Sequence, residues 1–174
     1  RHCICSAYCG KAKAIFIAAQ MGKRAMSHTI LVLNGPNLNM LGVRQPEFYG
    51  NESLSDIETT CRAKASKLGL EIDFRQSNYE GELVTLIQEA RGKMAGIVIN
   101  AAAYTHTSIA ILDALSLVEL PIIEIHLSNV YARDSFRHHS YISTIANGVI
   151  CGLGSHSYLL ALEALKRIID SSAE

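Results

Sequence analysis

From Thr29 onward, short apolar runs rich in β-branched side chains alternate with longer segments in which apolar residues recur every three or four positions. TILVLN (29–34), EIDFRQS (71–77), GIVINAA (96–102), PIIEIHLS (121–128) and NGVICGLG (147–154) have the length and composition of strands. Between them, Leu54, Ile57, Cys61, Ala65 and Leu68 keep helical spacing up to Gly69, and Ser53 with Asp56 and Ser55 with Glu58 offer capping boxes. Ser77, with Glu80 three residues on, predicts a second helix running to about Gly92. THTSIAILDALSLV (105–118) predicts a mostly apolar helix starting from a threonine cap, and SYLLALEALKRII (157–169) an amphipathic last one.

Strands separated by helices at this spacing require a parallel sheet with right-handed crossovers, covered on both faces. Five strands in an α/β chain predict the flavodoxin-like order 2-1-3-4-5, with ligands bound where the strands end. Residues at the carboxyl ends of the strands therefore decide what such a chain can do.

The chain has 174 residues, 49% of them hydrophobic, which suits a single core. No repeat or linker divides it, so residues 26–174 read as one domain. Residues 1–25 read as an extension outside that fold, with a targeting peptide as the alternative: they are basic and acid-free, and Met26 leads directly into SHTILVLN. The first 26 residues hold five of the 16 basic side chains, leaving 11 against 16 acidic ones in the body. A nucleic-acid footprint is not expected there. No run reaches the roughly 18 apolar residues of a membrane span. Cys3, Cys5 and Cys9 near His2 lack a second ligand pair at zinc-site spacing. Cys61 and Cys151 read as small buried hydrophobes in a reducing, cytoplasmic setting.

Polar residues crowd the predicted carboxyl edge. Asn34, Asn37 and Asn39 follow the first strand in NGPNLNMLG, which runs into RQPEFYG with Arg44 and Tyr49. Asn100, Tyr104 and His106 follow the third. Glu124 and His126 end the fourth, which continues into LSNVYARDSFRHHS with Ser128, Arg133 and Arg137. Taken singly, each has a plain structural reading: turn formers at Asn34 and Asn37, a helix cap at His106, a core histidine at His126, solvated charges at Arg133 and Arg137. Together they point to an anion-binding site equipped for proton transfer.

Other chemistries lack their residues. No GxxxxGK[ST] phosphate loop is present, and GLGSHS, a faint echo of GxGxxG, follows the fifth strand and not the first. A phospho-acceptor domain needs carboxylates where Asn34 and Asn100 stand. The chain has no tryptophan to sandwich a flavin, and GxSxG is missing.

NGPNLNMLGVRQPEFYG, INAAAYTHTSIAILDAL and IEIHLSNVYARDSFRHHSYIS followed by GVICGLGSHSYLLAL resemble, in order, the motifs of type II 3-dehydroquinate dehydratase. The resemblance covers Thr29 to about Leu165. It implies a lyase that dehydrates 3-dehydroquinate by trans elimination through an enolate, in the shikimate pathway. It implies no cofactor or metal, and a homododecamer built as a tetramer of trimers. Tyr49 would be the base and His126 the acid, with Arg44 and Arg133 stabilising the phenolate. Asn37 would steady the enolate through a water. Asn100, His106 and Arg137 would bind hydroxyls, and the backbone of Leu127 with Ser128 the carboxylate. Asp113 would reach the substrate region of a neighbouring subunit and help to hold its Arg137, and Glu124 would stand behind the residues that touch substrate.

Physical chemistry agrees with the pairing of Arg44 and Tyr49. A phenol of pKa about 10 must fall by about 2 units, or roughly 3 kcal/mol, to serve as a base near neutrality. One guanidinium at ~4 Å supplies about 4 kcal/mol at an effective dielectric near 20, and desolvation opposes it. Arg133 beside Arg44 gives the margin. Pro46 between Gly42 and Gly50 lets this segment swing as a lid carrying both groups. Asp113 is the lone charge in an apolar helix, which predicts burial against a neighbouring subunit. Two alternatives stand beside the dehydratase: a related cofactor-free lyase or isomerase, and a binding module without catalysis.

Overall fold

A computed structural model describes residues 28–42 and 52–172. The extension at residues 1–25 lies outside them. Five strands form one parallel sheet: β1 (Thr29–Asn34), β2 (Glu71–Gln76), β3 (Gly96–Asn100), β4 (Ile122–His126) and β5 (Gly148–Cys151). Their order is β2-β1-β3-β4-β5, the order expected from the sequence. Four helices connect and cover them: α1 (Leu54–Lys67), α2 (Glu80–Ala90), α3 (Ile109–Val118) and α4 (His156–Ser171).

Alternation along the strands divides the core in two, because successive side chains leave opposite faces of a sheet. Ile30, Val32, Val98 and Ile125 pack with α1 and α4 through Ile57, Cys61, Leu162 and Leu165. Leu31, Leu33, Ile97 and Ile99 pack with α2 and α3 through Leu83, Ile87, Ile111 and Leu115. The three inner strands are apolar on both faces for this reason, and each buried Leu or Ile contributes about 1.5–3 kcal/mol. Cys61 is one of these core residues, and burial, helped by the charge of Glu58, pushes its thiol up to about 12. Cys151 is half-buried, and both are free thiols.

Helix starts follow local chemistry. At α1 the Ser53 Oγ accepts the Asp56 N–H and Asp56 Oδ2 accepts the Ser53 N–H at 2.9 Å, the reciprocal box read from the sequence. Gly69, at φ 69°, provides the left-handed residue that ends it. Two caps differ from expectation. Tyr79, not Ser77, precedes α2: the Ser77 hydroxyl accepts the Tyr79 N–H at 2.9 Å and donates to Glu82, closing a turn before the helix. Likewise α3 is capped by Ser108, whose Oγ accepts the Ile111 N–H, and not by a threonine. Residues Ala102–His106 form a 3-10 turn first, which takes Thr105 into the core.

The apolar helix α3 buries only one face in the single chain, through Ile111, Ala114, Leu115 and Val118. Ile109 and Leu117 are exposed on the other, as is Asp113. Among the described residues no helix is long and apolar enough to cross a membrane.

Candidate active site

The carboxyl ends of β1, β3 and β4 surround a cleft of about 160 Å³. Eight of the residues singled out in the sequence line it: Asn37 after β1, Asn100 and His106 after β3, His126, Leu127 and Ser128 at the end of β4, and Arg133 and Arg137 in the following loop. The switch from β1 to β3 as neighbours opens this crevice, since the chain leaves the two strands in opposite directions. Arg44 and Tyr49 lie outside the described residues. Asp113 does not line the cleft, and Glu124 stands behind His126.

Tight backbone contacts build the floor. Gly35 donates its N–H to the Asn100 carbonyl at 2.8 Å, and a Cβ there would stand 2.4 Å from the Ala101 carbonyl oxygen. Only glycine permits that approach. Asn37 follows in the left-handed conformation, φ 67°, where asparagine is tolerated, and its N–H is received by Asn78 Oδ1 at 2.9 Å.

Beneath the cleft runs a buried polar chain. Asn34 Nδ2 donates to the Arg75 carbonyl, Tyr158 OH donates to Asn34 Oδ1 at 2.6 Å, and Asn100 Nδ2 donates to Tyr158 OH at 3.2 Å. Asn34 is thus an internal strut and not a wall of the cleft. Tyr158 is fully buried, which raises its phenol well above the ordinary value. Asn100 Oδ1 also accepts the Ala102 N–H at 3.3 Å, so its amide is held in a single orientation.

His126 and Glu124 are two apart on β4 and share a face of the sheet. His126 Nε2 donates to Glu124 Oε1 at 2.9 Å. That leaves Nδ1 as the ring nitrogen available to the cleft. Burial is the largest influence on Glu124 and opposes its charge. Hydrogen bonds from His126, Thr105 and Ser140 outweigh it and hold the carboxyl below its usual value.

His106 lies parallel to His126, with ring centroids 6.4 Å apart and planes 9° apart. Its Nδ1 donates to the His139 carbonyl at 2.7 Å, which presents Nε2 elsewhere as an acceptor. Burial chiefly, then the charges of His126 and Arg137, lowers its pKa and favours the neutral ring. On the opposite wall Arg133 Nη1 donates to Ser128 Oγ at 3.4 Å. Among the described residues the buried Arg137 Nε has no hydrogen-bond partner, and it stands 3.9 Å from Asp134 Oδ2.

These groups can move protons and hold a polyhydroxylated anion. The described residues contain no cluster of metal-ligating side chains.

A sequence profile of the family described as Dehydroquinase class II matches residues 28–166. The chain belongs to the class II dehydroquinase family. It is 56% identical over 148 residues to 3-dehydroquinate dehydratase 2 of Pseudomonas aeruginosa, covering 85% of this chain and all of that one. It is 58% identical over 143 residues to 3-dehydroquinate dehydratase of Rhizobium johnstonii, covering 82% and 99%. The crystal structure of the type II dehydroquinase from Propionibacterium acnes superposes with a TM-score of 0.78 at 44% identity, over 82% of this chain and 98% of that one. The residues matched to the class II dehydroquinase family, 28–166, include all those that line the cleft.

Three residues that brace the cleft had no part in the site assigned from the sequence: Thr105, Ser140 and Tyr158. All three stand inside segments that carry the family resemblance, YTHTS, RHHS and SHSYLLAL. A side-chain hydroxyl carries no periodic signal, so only the neighbours that it meets in space reveal it.

Proposed function

We propose that this chain dehydrates 3-dehydroquinate to 3-dehydroshikimate in the shikimate pathway, the reaction for which its relatives are named. The observation that carries the reading is the carboxylate-backed imidazole of His126 facing a cleft whose opposite wall bears Arg133 and Arg137. A substrate with a carboxylate, several hydroxyls and a ketone matches that lining. The leaving hydroxyl needs an acid, and the carboxylate needs cationic and hydroxyl partners.

In this reading the Tyr49 phenolate, stabilised by Arg44 and Arg133, removes the proton beside the ketone. The electron pair passes to the carbonyl oxygen, giving an enolate that Asn37 steadies through a water. The enolate then collapses, the carbon–oxygen bond breaks, and His126, acting as the imidazolium with its Nε2–H held by Glu124, gives its Nδ1 proton to the departing hydroxyl, which leaves as water. One proton is taken and one is given, so no carrier of electrons or groups is required. Asn100, His106 and Arg137 bind hydroxyls, and Ser128 with the Leu127 backbone holds the carboxylate.

The exposed apolar face of α3 supports assembly into trimers and a dodecamer of cytoplasmic enzyme. There Asp113 would reach a neighbour's Arg137. Ultraviolet absorbance of the conjugated enone, followed with wild type and Tyr49→Phe, is the decisive assay. Conversion by wild type and loss of nearly all rate in the variant are expected. A wild type that binds 3-dehydroquinate and does not convert it would favour the binding-module alternative and sink the dehydratase.

A further inference from the structure

Glu124 is fully buried, and each of its polar neighbours is a donor. His126 Nε2 is 2.9 Å from Oε1, Ser140 Oγ is 2.8 Å from Oε1 and 3.0 Å from Oε2, and the Thr105 hydroxyl donates to Oε1. The two hydroxyls are 3.0 Å apart, and Ser140 Oγ also accepts the Ser143 N–H at 3.0 Å. Each hydroxyl has a single proton to give. Both protons are used when the carboxyl is ionised, whereas a protonated Glu124 would set its own O–H against one of them. Three convergent donors therefore define the ionised form, and an ionised Glu124 requires the proton of neutral His126 to sit on Nε2.

We propose that Thr105 and Ser140 are positioning residues that keep Glu124 ionised and aimed at Nε2, and thereby select Nδ1 as the nitrogen through which His126 exchanges its proton with bound substrate. The inference rests on the reading of His126 as the acid of the dehydration. Neither hydroxyl belongs to β4. Thr105 comes from the 3-10 turn that carries His106, and Ser140 from the loop that carries Arg137. Further bonds tie the same two segments, the Tyr141 N–H to the Thr105 carbonyl at 2.9 Å and His106 Nδ1 to the His139 carbonyl at 2.7 Å. The carboxylate is thus held by both walls of the cleft. Among the described residues, the titratable and charged groups around the pair include His106 from the turn, Arg133 and Arg137 from the loop, and Cys151, in register with His126 on β5.

The test combines histidine-selective nitrogen NMR of the wild type with kinetics of Thr105→Val and Ser140→Ala. In wild type the neutral His126 ring is expected as the Nε2–H tautomer, and an Nδ1–H tautomer overturns the proposal without reference to any variant. In folded variants kcat is expected to fall roughly tenfold with KM within about twofold, and the alkaline limb of the kcat profile to move to lower pH. Thr105→Ser should restore both. Folded variants with an unmoved limb and unchanged kcat overturn the positioning role. A wild type that has the Nε2–H tautomer and performs no dehydration upholds the positioning and defeats the dehydratase reading, so the two failures are distinguishable.

Discussion

His126 Nε2 donates to Glu124 Oε1 at 2.9 Å across two residues of one strand, and Glu124 has no solvent exposure at all. A buried carboxylate is costly, and here it is offset by three donors. Glu124→Gln keeps the shape and removes the charge, and it places an amide N–H₂ among groups that all donate to the carboxylate. We expect kcat to fall about 10² to 10³-fold with a smaller change in KM, and stability to drop by about 1–3 kcal/mol. Steady-state kinetics and urea unfolding check the two parts.

Two groups beside the cleft, Glu124 and His106, have lowered pKa values and should contribute to the acid stability of the protein. Glu124 is depressed below 4.5 in the fold, so the unfolded chain binds its proton first as pH falls. Its contribution is present above about pH 4.5 and is lost as pH drops through the lower folded value. His106 is depressed below 6.5, so protonation of the unfolded chain begins to remove stability near pH 6.5, and the loss is complete below the folded pKa. Unfolding free energy should therefore decline in two stages on acidification. His106→Gln should flatten the upper one, and an unchanged slope there would contradict the account.

Tyr158→Phe breaks the hydrogen-bonded link between the Asn34 and Asn100 side chains. Two buried amides then lose a partner, at about 1–3 kcal/mol for each group left unsatisfied. The midpoint of thermal unfolding should fall by roughly 2–4 °C for each kcal/mol lost. Because Asn100 lines the cleft, KM should also rise.

Gly35→Ala would force a Cβ against the Ala101 carbonyl, 2.4 Å away in the present backbone. The loop after β1 and the turn after β3 must then separate, and overpacking of this kind costs about 1–3 kcal/mol. Weaker substrate binding should accompany the lower stability, measured by KM and denaturant midpoint in the same preparation.

Arg137→Lys retains the charge but removes the guanidinium that lines the cleft. Lysine cannot reproduce the planar fork of donors. KM for 3-dehydroquinate should rise about tenfold while folding stability changes by less than about 0.5 kcal/mol, since the pair with Asp134, at 3.9 Å, is a partly solvent-exposed one.

Most of the fold was legible because strand and helix patterns are properties of neighbours along the chain. TILVLN and GIVIN could be buried only as inner parallel strands, and the five repeats then limited the strand order. The site was legible as a crowd, since eight of the residues read from the sequence line a single cleft. The errors came where a side chain had a better offer from far away. Thr105 reads as a helix cap, but its hydroxyl donates to Glu124, 19 residues away, and Ser108 takes the cap instead. Asn34 reads as a cleft residue, but Tyr158, 124 residues on, draws its amide inward.

Sequence alone determined the element order, the parallel α/β sheet, the family and the polar edge where chemistry is done, because periodicity and motif spacing are local. Tertiary structure decided which polar side chains face the cleft and which brace it from behind. Hydrogen-bond partners such as Glu124 and Ser140 meet only after register brings the strand end and the loop together, and a buried charge can remain ionised only when all its donors have arrived.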